Sequence, residues 1–145
     1  MLRRLAAPVS ALALAGFLAG AVPAGANHNV TKTFTTQLTG AQEVPGPGDP
    51  DGSGVARVTV DTATGRICYV VRVADIAPAT AAHIHEAPPG ASGPVVQGLI
   101  APTRGRSAAC VTNYALAADI AADPGDYYVN VHNPAYPGGA VRGQL

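Results

Sequence analysis

Ala82-His83-Ile84-His85 and Tyr127-Tyr128-Val129-Asn130-Val131-His132 decide the fold of this chain. In both stretches apolar residues alternate with polar ones, which is the period of a strand that has one face in a core. His83 and His85 therefore share one face and Ile84 takes the other. Likewise Tyr127, Val129 and Val131 share a face, opposite Tyr128, Asn130 and His132. If both apolar faces enter a common core, three of the chain's four histidines stand together outside it, on solvent-side positions.

The same period extends outward along the chain. Strands are expected at residues 33–38, 55–60, 66–73, around His83, and at 95–100, 107–112, 126–132 and 140–144. Asp61-Thr62-Ala63-Thr64-Gly65 reads as a hairpin turn, and the Pro-, Gly- and Asp-rich stretch 40–54 reads as a loop, as does 88–94. One helix is expected at 115–122, with Leu116 and Ile120 a turn apart and Pro124-Gly125 as the stop. About eight short strands and one short helix predict an all-β fold, a Greek-key β-sandwich or barrel. No internal repeat is visible.

Met1-Leu2-Arg3-Arg4 followed by an apolar run to Val22 and by Ala24-Gly25-Ala26 has the form of a secretory signal peptide over residues 1–26. A membrane anchor is the alternative, and Pro8, Pro23 and the cleavage site argue against it. The expected mature protein has a flexible N-terminus at 27–32 and one domain at 33–145, is exported to the cell envelope or beyond, and has no transmembrane segment. Losing Arg3 and Arg4 takes the balance of basic to acidic residues from 9 against 9 to 7 against 9, a formal charge of −2. With no basic patch and few aromatics, nucleic acid is excluded as a partner. Cys68 and Cys110 fit a single disulfide in an exported protein, closing a loop of about 43 residues worth about 4 kcal/mol in the chain-entropy picture. A redox pair is the sharper alternative, but there is no C-x-x-C.

His-x-His on a strand places two imidazoles side by side, and a third from a neighbouring strand completes a three-nitrogen site. Such a set suits copper, and less well zinc. The candidate ligands are His83, His85 and His132, supported from around by Glu86, Tyr128, Asn130 and Arg142. The competing reading is of surface histidines hydrogen-bonded to loops. Asp49-Pro50-Asp51-Gly52-Ser53-Gly54 imitates the start of a calcium loop, but its closing acidic position falls on Val60. Asn29-Val30-Thr31 is a glycosylation sequon without meaning in a bacterial chain, which the Ala/Gly/Pro-rich composition suggests. Glu86 beside His85 could form an acid–base pair, though a rim carboxylate is the plainer reading. No nucleophile elbow, phosphate loop or paired carboxylates can be picked out.

Leu38-Thr39-Gly40-Ala41-Gln42-Glu43-Val44-Pro45, Ala82-His83-Ile84-His85, and the run from Tyr127 through Asn133-Pro134 to Gly138-Gly139-Ala140-Val141-Arg142-Gly143-Gln144-Leu145 together resemble the chordin (CHRD) domain. The resemblance spans about residues 33 to 145 and implies an extracellular β-sandwich without an established catalytic activity. Family members commonly carry an acidic residue where this chain has Ala140, a departure that leaves the carboxylate's role, including pairing with Arg142, unfilled. A looser resemblance is to Cu/Zn superoxide dismutase, and it covers only His83, His85 and His132. The bridging histidine and zinc loop have no counterpart, since the remaining histidine is His28. The expected function is a non-enzymatic binding module for an unknown extracellular protein or envelope component. A three-His copper protein, serving as carrier or simple redox centre, is the alternative, and a structural envelope component is a further one.

Overall fold

The computed structural model describes residues 30–145. The expected signal peptide, His28 and Asn29 of the sequon lie outside those residues. Eight strands form one antiparallel sheet: β1 (Thr31–Thr39), β2 (Ser53–Asp61), β3 (Arg66–Ala74), β4 (Ala81–Glu86), β5 (Val95–Leu99), β6 (Arg106–Thr112), β7 (Tyr127–His132) and β8 (Val141–Gln144). Among the described residues one α-helix is formed, α1 (Tyr114–Ala122), between β6 and β7. The all-β expectation holds, with strand ends within a few residues of those read from the pattern. The first strand begins at Thr31, paired with Asp61, so residues 31 and 32 belong to the sheet and not to a flexible N-terminus. Ser53 and Gly54, expected in the loop, open β2.

The strand order is β5-β4-β7-β8-β1-β2-β3-β6. Two four-stranded halves are joined through β8 and β1, whose register is the single pair Thr39↔Arg142. At the far ends the backbone N–H of Ile100, just past β5, donates to the Tyr69 hydroxyl of β3 at 2.9 Å. That bond ties the chain just past the edge strand β5 to β3, the neighbour of the other edge strand β6, and the sheet is a nearly closed barrel. The chain crosses between halves at β3→β4, β5→β6 and β6→β7.

Period-2 alternation fills the interior. Leu38, Val58, Ile67, Ile84, Val129 and Val141 are fully buried in one cluster, which Leu116, Ala117 and Ile120 of α1 join. Burying each such side chain contributes roughly 1.5–3 kcal/mol before entropy is counted. The helix starts where Asn113 accepts from the Leu116 N–H at 3.1 Å, and ends before Pro124. Its last turn is tied to β1 by Lys32 Nζ, which donates to the Ala121 carbonyl at 2.6 Å. In the β2–β3 turn Asp61 accepts from Ala63 N–H at 2.9 Å, and Gly65 takes the left-handed conformation (φ +66°) that closes the hairpin.

Cys68 and Cys110 face each other in register on β3 and β6, with a Cα–Cα distance of 4.0 Å, and are disulfide-bonded. Both stand on the outer face, so the bond joins neighbouring strands from the solvent side.

Candidate metal centre

β4 and β7 pair with His83 opposite Asn130 and His85 opposite Tyr128. Ile84, Val129 and Val131 lie fully buried on the reverse face. The histidines thus sit outside the core, as the alternation predicts. They are not on an open surface, however. His85 is buried (9% exposed), and His83 and His132 are half-buried. The expectation of solvent-side positions is corrected here, and the cause is a roof of two loops over this half of the sheet.

The first loop runs from Ala87 to Pro94. Its Gly93 carbonyl accepts from His85 Nδ1 at 2.9 Å, and its Ala91 and Pro88 carbonyls accept from Arg142 at 2.7 and 3.3 Å. Gly93 passes so near β4 that a Cβ there would lie 1.7 Å from the Glu86 carbonyl oxygen, so only glycine fits. The second loop follows β7, and its Pro137 carbonyl accepts from His132 Nδ1 at 3.0 Å.

These bonds fix the ring tautomers. A carbonyl oxygen only accepts, so Nδ1 carries the proton in both His85 and His132, and their Nε2 atoms are bare. His132 Nε2 lies 3.0 Å from His83 Nδ1 and 3.1 Å from the Asn130 side-chain oxygen. With Nε2 bare, the Asn130 amide can satisfy it only by presenting its NH2 group. His85 Nε2 is buried with no hydrogen-bond partner at all. An unpaired buried acceptor costs roughly 1–3 kcal/mol, and a histidine held this way is oriented as metal-ligating histidines are, with the second ring nitrogen spent on a carbonyl.

One ligand nitrogen from each of the three histidines lies within 4.8 Å of the others. The pair 3.0 Å apart would subtend about 95° at an ion bonded at about 2.0–2.1 Å. Nitrogens on opposite sides of such an ion can be at most about 4.2 Å apart, so binding requires the widest separation to close by at least about 0.6 Å, through ring rotations. His83 is free to make that movement: no backbone carbonyl holds it, and across the strand pair stands Gly98, where a Cβ would meet nothing within 4 Å. That open side also gives an ion a way in. Burial is the main cause that lowers the proton affinity of His83 and of His132, and the neighbouring imidazoles add to it. Both rings are thus held neutral, in the form that ligates.

The other expected residues divide. Tyr128 stacks on His85 at 4.7 Å with 8° between planes, and the Arg142 guanidinium lies 3.4 Å from the Tyr128 ring centre. Asn130 stands between His83 and His132. Glu86 does not belong to this group. It has the parity of Ile84, faces Tyr127 in register and is exposed at the strand end. Being adjacent to His85 in sequence puts it on the opposite face, so neither an acid–base pair with His85 nor a supporting role is available to it. Sequence reasoning missed the carbonyls of Gly93 and Pro137, which orient the rings, and the buried Glu43 beyond Arg142. For Glu43 the signal was its place in the Gly40–Pro45 motif, but nothing in that loop's composition pointed to burial.

No curated protein and no solved structure matches this chain. The CHRD domain model matches residues 34–145, which takes in seven of the eight strands whole, most of β1 and every residue of the histidine group and its roof, and the chain belongs to the CHRD domain family.

Proposed function

We propose that this protein is an exported CHRD-domain module that binds one transition-metal ion through His83, His85 and His132, copper in preference to zinc. The observation that carries the reading is the buried, partnerless Nε2 of His85, on a ring grouped with two half-buried imidazoles whose proton affinity is lowered. A surface histidine serving only as a loop anchor would leave its second ring nitrogen open to water. Three neutral nitrogen donors favour copper or zinc over calcium and magnesium, which prefer oxygen. With three protein ligands and an open side at Gly98, a fourth position is left for water or a delivered ligand. That suffices for a carrier or a simple redox centre, and CHRD domains are not a known enzyme family. The disulfide, and the absence of any helix long and apolar enough to cross a membrane among the described residues, support export.

Calorimetric titration of the metal-free protein with copper tests this. One ion per chain is expected near neutral pH, and His83→Ala, His85→Ala and His132→Ala should each lower affinity by at least about 100-fold. Protons compete for the same nitrogens. Because the folded rings hold protons less readily than free imidazole, the half-loss of binding on acidification is expected below about pH 6.5. Absence of saturable binding, or full affinity in His85→Ala, overturns the reading.

A further inference from the structure

Glu43 is the one acidic side chain among the described residues that is buried, at 6% exposure, and its Oε1 has no hydrogen-bond partner. It is not neutralised by Arg142 through contact. The guanidinium donates to the Ala91 and Pro88 carbonyls and to Gln144 Oε1, and none of those bonds goes to Glu43. A buried carboxyl group left in this condition is costly to the fold and calls for an explanation.

Glu43 lines a cleft of about 260 Å³ between the 43–47 segment and the 135–139 segment. The walls are Pro45, Pro47, Pro137 and the ring of Tyr136, rigid and largely apolar. The carboxyl packs against Gly139, where a Cβ would lie 2.3 Å from Glu43 Cδ, so the glycine makes room for it. Both walls are tied in place. Glu43 and Gly48 N–H groups donate to the Gly40 carbonyl at 3.1 and 2.8 Å, and Asp49 N–H to the Ala140 carbonyl at 2.8 Å. Ser92 Oγ donates to the Val44 carbonyl at 3.0 Å, and Tyr136 N–H to Asn133 Oδ1 at 2.8 Å. The cleft is therefore preformed, with the Glu43 carboxyl group in its lining.

We propose that this cleft binds a primary alkylammonium group, such as a lysine side chain, with Glu43 as the recognition carboxylate. One carboxylate without a second anionic or imidazole donor cannot chelate a metal ion, and Glu43 is not part of the histidine group. A guanidinium would need both carboxylate oxygens in its plane, whereas Oε1 is sealed off. An ammonium is a compact charge that needs a single oxygen, and its alkyl stem packs on proline and tyrosine faces. This site lies across the Tyr136–Gly139 turn from His132 and does not depend on metal binding.

Burial raises the Glu43 pKa to about 7, with Arg142 pulling the other way, and no other charged group is found to act on it; Tyr136 is the titratable neighbour on the opposing wall. An ammonium pairs with the ionised form. Affinity should therefore rise about tenfold between about pH 6 and pH 8, following the ionised fraction. The test is an NMR titration of the full chain with n-butylammonium, with tetramethylammonium and n-butanol as controls. Saturable shifts confined to residues 43–47 and 135–139 are expected, stronger at the higher pH, absent with both controls and abolished in Glu43→Gln. In the unaltered protein the carboxyl pKa of Glu43, followed by carbon NMR, should fall when the amine is present. Equal binding of n-butanol, an unchanged Glu43 pKa at saturation, or no saturable shift would each overturn the proposal.

Discussion

The two halves of the barrel are built on the same inner pattern and differ on their outer faces. In β1-β2-β3-β6 the inner residues are buried or partly buried, and outer ones such as Thr33, Arg57 and Arg66 are exposed. In β7, by contrast, both faces are covered: Tyr127, Val129 and Val131 by the core, Tyr128 and Asn130 by the loop roof. One half is held by apolar burial and a disulfide at its wet face. The other adds a buried polar layer made of His85, Asn130, Arg142 and Glu43. Such a layer contributes little to stability for its size, because each polar group must first be desolvated. Its presence on one side only places the chemistry of this protein there.

Arg142 tests the roofed half most severely. It is 2% exposed, and its guanidinium satisfies the Ala91 and Pro88 carbonyls, Gln144 and the Tyr128 face together. Arg142→Ala leaves these groups unpaired and removes the one positive charge acting on Glu43, and should cost about 3–5 kcal/mol in urea unfolding. A loss under about 1 kcal/mol would mean that the roof holds without it. On the wet half, Cys68→Ala with Cys110→Ala removes a bond spanning 42 residues of sequence. The expected loss there is about 2–4 kcal/mol, chiefly through a freer unfolded chain, so the copper affinity of the folded protein should be unchanged.

Glu43→Gln should act in the opposite direction and depend on pH. A carboxyl whose pKa is raised on folding, here from 4.5 to about 7, binds its proton more tightly in the folded state. The folded state therefore loses stability as pH rises from about 4.5 to about 7, by about 3 kcal/mol in total. A glutamine is neutral throughout. The variant should be more stable than the parent by about that amount at about pH 8 and indistinguishable from it below about pH 4.5, read from thermal melts across the range. His83 and His132 titrate with the reverse sign. Their lowered proton affinity means the unfolded chain takes up protons first, so they weaken the metal-free fold as pH falls through about 6.5. A flat difference between the Glu43→Gln variant and its parent would show that the carboxyl is not desolvated.

The wet half was the more legible in the sequence, and the reason is geometric. Where one face is core and the other water, period-2 alternation reports both, and the strands from 55 to 73 and the opposed cysteines can be read directly. Alternation also separates the histidines from Ile84, Val129 and Val131. It cannot show that a loop rich in proline and glycine folds back over the outer face, since the roof is joined to the strands through its backbone N–H and carbonyl groups. The burial of Asn130 and Arg142 was therefore invisible, and so was the orientation of two histidine rings by Gly93 and Pro137. Glu86 was misplaced for a different reason: adjacency in sequence was given more weight than parity. Glu43 sits in a loop with no period, far from Arg142 in sequence, and only the fold brings the two together.

The smallest expected effect isolates the roof itself. Thr33 and Thr59 are directly opposed on the outer face of β1 and β2, with their hydroxyls 2.9 Å apart, just as His83 and Asn130 are opposed on β4 and β7. The strand geometry is the same and only the covering differs. Thr33→Ala should cost no more than about 0.5 kcal/mol, because water replaces the lost hydroxyl on both partners. Asn130→Ala in the metal-free protein should cost about 1–3 kcal/mol, because a fully covered side chain is removed together with its bond to His132 Nε2. If urea unfolding gave the two substitutions the same cost, water would have to reach both sites equally, and the difference between the halves would lie in composition and not in covering.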